Sequence, residues 1–217
     1  AHRCINDFYK LGVRDENTFD LCRQLKGNTK DIDIIPDPTF SFHINIEKAR
    51  KSLIRNKFNF NNKSVIINLP NSFPYLDDTI TYFKDKNWNI ITFNYAKYAD
   101  YCLFVSPEEW AGVPYFVNLV ITDRFHGSVF SIRNNVPVIG IDCEEDRVST
   151  INSSKVKTLF KEFDILDNYI NLHYYPTQEQ FFNKVEKAIN TKYDFTKKNM
   201  ELRAKYLDYV KTALNNK

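Results

Sequence analysis

Long hydrophobic runs are missing from this sequence. No apolar stretch approaches the roughly 18 residues needed to cross a bilayer, and the opening AHRCINDFYK lacks the apolar centre of a signal peptide. Strong charge of either sign is missing too. Thirty Lys and Arg against 27 Asp and Glu leave a formal net charge of +3. That falls short of the basic footprint of a nucleic-acid binder, although its sign helps attract a small anion. Cysteine is sparse: Cys4, Cys22, Cys102 and Cys143 are scattered without a C-x-x-C pair. This argues against a zinc site and a disulfide scaffold, and for reduced thiols in a cytoplasmic protein. Internal repeats and low-complexity tracts are also lacking. What remains is a globular composition, 43% hydrophobic, 26% charged and 15% aromatic over 217 residues. It is too apolar for a disordered chain and long enough for one large domain, or one domain with part of another. The chain opens without Met inside a helix-like pattern, so it is expected to be the remainder of a longer protein.

Residues 5–25 read as helical, with the short run LGVRD interrupting them at 11–15. Asp15 or Asn17 is placed to cap the second part, whose apolar face is Phe19, Leu21, Cys22 and Leu25. IDIIPDPTF (32–40) reads as a short strand running into Pro36 and Pro38, an extended crossing between domains. Beyond it, helices and strands alternate. Helices are predicted at 46–56, 75–86, 124–134 and 155–163, and near the end at 178–190 and 197–214. Another begins at Ser106, an N-cap followed by Pro107 at the first helical position. SVIINLP, WNIITFNY, CLFV, LVIT and VPVIGID read as strands and YINLHYYP as an extended segment. Strands that are apolar throughout belong in a parallel sheet covered on both faces. The expected fold class is therefore α/β, a doubly wound, mostly parallel Rossmann-like sheet. Residues 1–40 are expected to be the end of one domain with its crossing, and 41–217 a second domain with terminal helices.

Chemistry-bearing residues concentrate in VITDRFHGSVFSIRNNVPVIGID, residues 120–142. In open α/β sheets, ligands bind outside the carboxyl ends of strands, and Asp123, Arg124, Phe125 and His126 follow VIT at such an end. A helix starting there turns free N–H groups and a positive dipole end toward an anion. Arg124 adds a planar, permanently charged fork, and His126 is a candidate proton donor. Gly127 leaves room for close approach, and the Ser128 hydroxyl is placed to bond a ligand oxygen or to cap. The same residues also fit a local role, with Asp123 capping the helix, Arg124 paired to it and His126 a satisfied polar group. Both readings stand on spacing alone.

The segment 120–142 resembles the polysaccharide pyruvyltransferases, whose C-terminal half carries an apolar strand, an R-x-H turn, a small-residue helix and a PVI strand. Four more segments agree in order. VRDENTFDLCRQL (13–25) resembles the family's R-D segment, IIPDPTF (34–40) its D-P-x-F crossing and SPEEWAGV (106–113) the helix before the key strand. SSKVKTLFKEFDI (153–165) is similar to its basic helix. The resemblance spans about residues 8–165 and implies two Rossmann-like halves facing one cleft, as in glycosyltransferases of the B type. Of these, the chain would hold the end of the first and nearly all of the second.

The resemblance also implies an activity, transfer of a pyruvyl group from phosphoenolpyruvate to two hydroxyls of a hexose as a cyclic ketal. The acceptor would be a surface or capsular glycan precursor, lipid-linked or nucleotide-linked, in the cytoplasm or at the inner face of the membrane. His126 matches the acid, and Arg124 and Arg14 match donor-anion arginines on opposite domains. Gly127, Ser128 and Lys155 match further anion-binding positions. No metal, organic cofactor or nucleic acid is implied. Read without the family, Arg14 pairs with Asp15, and Lys155 is as much a surface lysine as a ligand. His43 and His173 carry no motif and read as structural or surface residues. Asp142 and the following EED lie at a strand end, placed either to bind acceptor hydroxyls or, the favoured reading, as a loop of solvated charge; Trp88, Trp110, Tyr95 and Tyr98 suit stacking on a sugar but read first as packing. Two other functions remain open. One is a nucleotide-sugar glycosyltransferase or epimerase holding ribose through Asp142 or Glu144. The other is a non-catalytic domain that binds a glycan or a partner.

Overall fold

The computed structural model describes residues 10–26, 31–143, 154–174 and 176–215. In chain order the regular elements begin with β1 (Leu11–Val13), α1 (Glu16–Lys26) and β2 (Ile32–Ile34). After these come α2 (Ile46–Arg55), β3 (Ser64–Asn68), α3 (Leu76–Asp85), β4 (Asn89–Thr92) and β5 (Tyr101–Cys102). Next are α4 (Pro107–Gly112), β6 (Leu119–Thr122), α5 (Phe125–Arg133) and β7 (Val138–Asp142). The last are α6 (Lys155–Glu162), β8 (Tyr169–Asn171), α7 (Gln178–Asn190) and α8 (Thr196–Asn215). The chain forms two compact units. One takes the described residues up to Phe42 together with those from Lys197 on, and the other is His43–Thr196.

In the first unit β1 and β2 pair in parallel, Leu11 with Ile32 and Val13 with Ile34. The run LGV, read as a break in a helical pattern, is thus a strand; its buried Val13 packs on Cys22 of α1 and Ile32. Asp15 rather than Asn17 caps α1, accepting a bond from the Thr18 amide at 2.8 Å. Gly12 is required here, because a Cβ would lie 2.5 Å from Ile35 Cδ1 and 2.9 Å from the Tyr209 ring of α8. The last helix, expected beside the second sheet, therefore belongs with β1 and β2.

The second unit is a six-stranded, all-parallel sheet in the order β5-β4-β3-β6-β7-β8. Numbered within the unit this is 3-2-1-4-5-6, the doubly wound order. The four inner strands are rich in Val and Ile, and only Asn68 among their residues is not fully buried, as a sheet covered on both faces requires. The outer strands β5 and β8 are short and half-exposed, which limits edge-to-edge association. Alternate residues face opposite layers. Val65, Ile67, Ile90, Leu119, Ile121, Ile139 and Ile141 meet Phe83 of α3 and Phe181 and Val185 of α7 in one core. On the opposite face α6 packs so tightly that a Cβ on Gly140 would lie 2.6 Å from both Val156 and Phe160.

Two extended segments are shorter than the pattern suggests. CLFV leaves the sheet after Cys102, where Leu103 stays buried while Phe104 turns outward. YINLHYYP is a strand only to Asn171 and then turns into a short 3-10 helix. Ser106 and Pro107 open α4 as expected, and Ser106 and Glu109 form a reciprocal capping box.

Candidate active site

In this strand order the chain reverses direction between β3 and β6, and ligands collect at that switch point outside the carboxyl ends. β3 ends at Asn68 and β6 at Thr122, and the Asp123 amide donates to the Asn68 carbonyl at 3.2 Å, closing the two ends together. The Thr122 hydroxyl accepts from the Arg124 amide at 3.0 Å, which holds Arg124 in extended backbone as the N-cap of α5. Arg124 contributes no side-chain cap, since a guanidinium has only donors and the helix end needs an acceptor. Ser128 N–H to the Arg124 carbonyl, at 3.1 Å, is the first bond of the helix, and the amides ahead of it point out of the helix end.

Asp123 is 3% exposed and its Oδ1 lies 3.0 Å from Arg124 Nε, whereas the Arg124 side chain is 50% exposed. A buried carboxylate thus steadies the base of a fork that opens to solvent. His126 is the second residue of α5, exposed, its ring stacked on Phe130 at 6.2 Å and edge-on to Phe125 at 5.4 Å. Gly127 and Ser128 face inward. At Gly127 a Cβ would fall 2.8 Å from Thr122 Oγ1, so the space kept clear is for the protein's own strand end. Ser128 Oγ is fully buried and has no hydrogen-bond partner among the described residues.

Arg124, His126, Gly127 and Ser128 are therefore brought together at one strand end. Lys155 is exposed at the first position of α6, behind its cap Ser154. Arg14 follows β1 in the other unit, where Nη1 donates to Asp37 Oδ2 at 2.5 Å, a partner 23 positions away. Burial pushes Asp37 upward, but the Thr39 hydroxyl and amide and the Arg14 guanidinium outweigh it and hold the carboxyl below its ordinary 3.8.

The sequence reading missed three features of this edge. Asn68 was read only as part of a strand, yet it lies at the switch point. Asp142, read as a strand end with solvated charge, does end β7 but is buried at 4% exposure and accepts from the Tyr169 hydroxyl at 2.6 Å. Burial, reinforced by that carboxylate, pushes the Tyr169 phenol far above its ordinary range. Glu144 and the rest of EED lie outside the described residues. Third, a cleft of about 530 Å³ opens beside Arg124, lined by Asn68, Phe93, Asn94, Phe104 and Trp110 among others. Of the aromatics read as packing, Trp88 is buried and Tyr98 half-buried, but Tyr95 is 74% exposed. His43 and His173 are exposed.

A strand-end arginine and histidine over a helix start suit several anionic substrates, and comparison of the whole sequence narrows the choice. The family model described as polysaccharide pyruvyl transferase matches residues 1–145, more than half of the chain. The chain belongs to the polysaccharide pyruvyl transferase family. No curated protein matched the sequence. For a pyruvyl transferase, both the R-D segment after β1 and the R-x-H turn after β6 fall within the matched stretch, and the segment at 153–165 lies beyond it. Among the described residues no helix is long and apolar enough to cross a membrane, and no cluster of His, Cys, Asp and Glu has the makings of a metal site.

Proposed function

We propose that the chain transfers the pyruvyl group of phosphoenolpyruvate to two hydroxyls of a hexose in a surface or capsular glycan precursor. The observation that carries this reading is the placement of Arg124 and His126 at the carboxyl end of β6, at the switch point, in a member of this family. The donor carries a phosphate and a carboxylate. Arg124 presents a planar fork to one of them, and the open amides of α5 add their dipole. Arg14 and Lys155 supply further positive charge in this reading, and Gly127 and Ser128 belong to the first turn of α5 that presents those amides.

The chemistry follows from the enol phosphate. His126 gives a proton to the methylene carbon while a sugar hydroxyl adds to the adjacent carbon and passes its own proton to the phosphate, so the double bond becomes a methyl group and a C–O bond. Phosphate then leaves with its bonding electrons. The second hydroxyl adds to the resulting cation and releases its proton, which closes the ketal. Hydrogen and charge balance without an oxidant or reductant. The arginine and the helix end stabilise the negative charge that gathers on the departing phosphate.

The test is incubation of the protein with phosphoenolpyruvate and a panel of hexosides, following phosphate release and ketal formation by NMR. Stoichiometric phosphate and ketal are expected from wild type and not from His126→Ala. Tight binding of a nucleotide-sugar without turnover of phosphoenolpyruvate would overturn the reading, as would full transfer by His126→Ala.

A further inference from the structure

Apart from Arg124, the residues of the cleft have no role in the donor chemistry just described, yet their composition is specific. They come from the carboxyl ends of β3, β4 and β5 and from the start of α4, and Arg124 joins them from the end of β6. The cleft's volume of about 530 Å³ lies within the range of small-molecule sites. Two side-chain carboxamides, Asn68 and Asn94, line it with the rings of Phe93, Phe104 and Trp110. Phe104 is 76% exposed and makes no ring contact among the described residues, so its face is open to solvent. Trp110 is held edge-on by Phe93 at 5.6 Å and by Phe130 at 5.3 Å. Phe130 is also the ring on which His126 stacks. One wall of the cleft is thus continuous, through a single phenyl ring, with the proposed acid, and Arg124 lines its other end.

Two ligand chemistries use open aromatic faces beside a cation, a nucleotide and a sugar. A nucleotide on this fold needs a glycine-rich turn after the first strand for its diphosphate and an acidic residue at the end of the second for its ribose. Here the turn after β3, residues 69–75, reads LPNSFPY with no glycine, and β4 is followed by Phe93 and Asn94. The cleft fits a pyranose better. An aromatic face covers the apolar C–H side of the ring, and each carboxamide offers both donors and acceptors to hydroxyls around its rim.

We infer that this cleft is the acceptor subsite, holding the hexose ring against Phe104 and Trp110 with Asn68 and Asn94 on its hydroxyls. The identity of that hexose as acceptor rests on the pyruvyl-transfer reading; the sugar site itself does not. In this arrangement the sugar enters along the β3–β5 edge and presents its hydroxyl pair toward Arg124 and His126.

The test is saturation-transfer NMR on the full chain with methyl glycosides of glucose, galactose, mannose and their N-acetyl forms, and with uridine diphosphate. Phosphoenolpyruvate binding is measured separately by calorimetry. At least one hexoside is expected to bind wild type, and Phe104→Ala and Asn94→Ala are each expected to weaken it by about three- to tenfold while phosphoenolpyruvate binding is unchanged. Both side chains are exposed, so circular dichroism is expected to show intact folding. The inference is overturned if no hexoside in the panel binds, if the double variant binds them as well as wild type does, or if uridine diphosphate alone occupies the cleft. Hexoside binding that depends on Phe104 without any phosphoenolpyruvate binding would keep the sugar site and remove the donor reading. The opposite pattern would remove the subsite and keep the donor.

Discussion

Arg14 and Arg124 occupy the same kind of position, just past the carboxyl end of a parallel strand, and the structure uses them differently. Arg14 reaches 23 positions along the chain to the buried Asp37, which Thr39 also binds, so its charge is tied into the architecture of the crossing. Among the described residues Arg124 pairs with the adjacent Asp123, through Nε, and the rest of its half-exposed fork borders a cleft. A strand-end arginine is therefore not diagnostic of a ligand by itself; what matters is whether a buried carboxylate has taken a terminal nitrogen of the guanidinium, as at Arg14, or its Nε, as at Arg124. The neighbouring backbone differs in the same sense. Arg124 is followed by a nine-residue helix with open amides, whereas Asp15 caps the helix after Arg14 with its own side chain.

The largest expected effect tests the Arg124 side of this contrast. Arg124→Lys keeps a charge beside Asp123 but removes the fork, and kcat/KM for pyruvyl transfer is expected to fall about 100-fold with thermal stability unchanged. A drop in stability of the same order would make Arg124 structural. Gly127→Ala asks whether the fit of α5 on Thr122 sets the loop. The added methyl has no room, and urea unfolding followed by tryptophan fluorescence is expected to show a loss of about 2 kcal/mol. Arg14→Ala leaves Asp37 buried with one partner fewer, and amide exchange of β1 and β2 is expected to report a local loss of about 1 to 2 kcal/mol. A fall in transfer rate with unchanged exchange would instead place Arg14 on the donor alone.

The smallest effect is a pH dependence. The Asp37 carboxyl lies below its ordinary 3.8 in the folded protein, so its contribution is complete above that value and disappears as pH falls through the folded one. Protection of the β1 and β2 amides is expected to decline below about pH 4 in wild type, and this decline is expected to be absent from Asp37→Asn.

Much of the second unit was legible because burial on both faces leaves a strong mark. SVIIN, NIIT, LVIT and VIGID carry apolar residues at successive positions, and their shortness, β-branched content and flanking turn signals separate such runs from buried helix. Ser106 with Pro107 likewise carries its helix start in two residues. What the sequence did not carry was pairing. LGV is three residues long, too short for periodicity to separate a strand from a helical turn, and its partner is 21 positions away at Ile32. The importance of Asn68 depends on strand order, which no local pattern encodes. Asp142 looked like the start of an acidic loop because EED follows it, while its burial depends on a tyrosine 27 positions further on. Phe104 was hidden inside CLFV for the same reason: an apolar run predicts burial, and only the end of β5 shows which member turns outward.

The bond between the Ser64 amide and the Asn118 side chain joins positions 54 apart, next to the start of the β3–β6 pair. Parallel pairing across such a separation requires the intervening helices and strands to be compacted first, and loop-closure entropy makes it a slow step. The switch point, and with it the anion-facing edge of β6, therefore comes into being late, when the two halves of the sheet join. A substitution that slows this closure would delay the appearance of activity during refolding more than the appearance of helical signal.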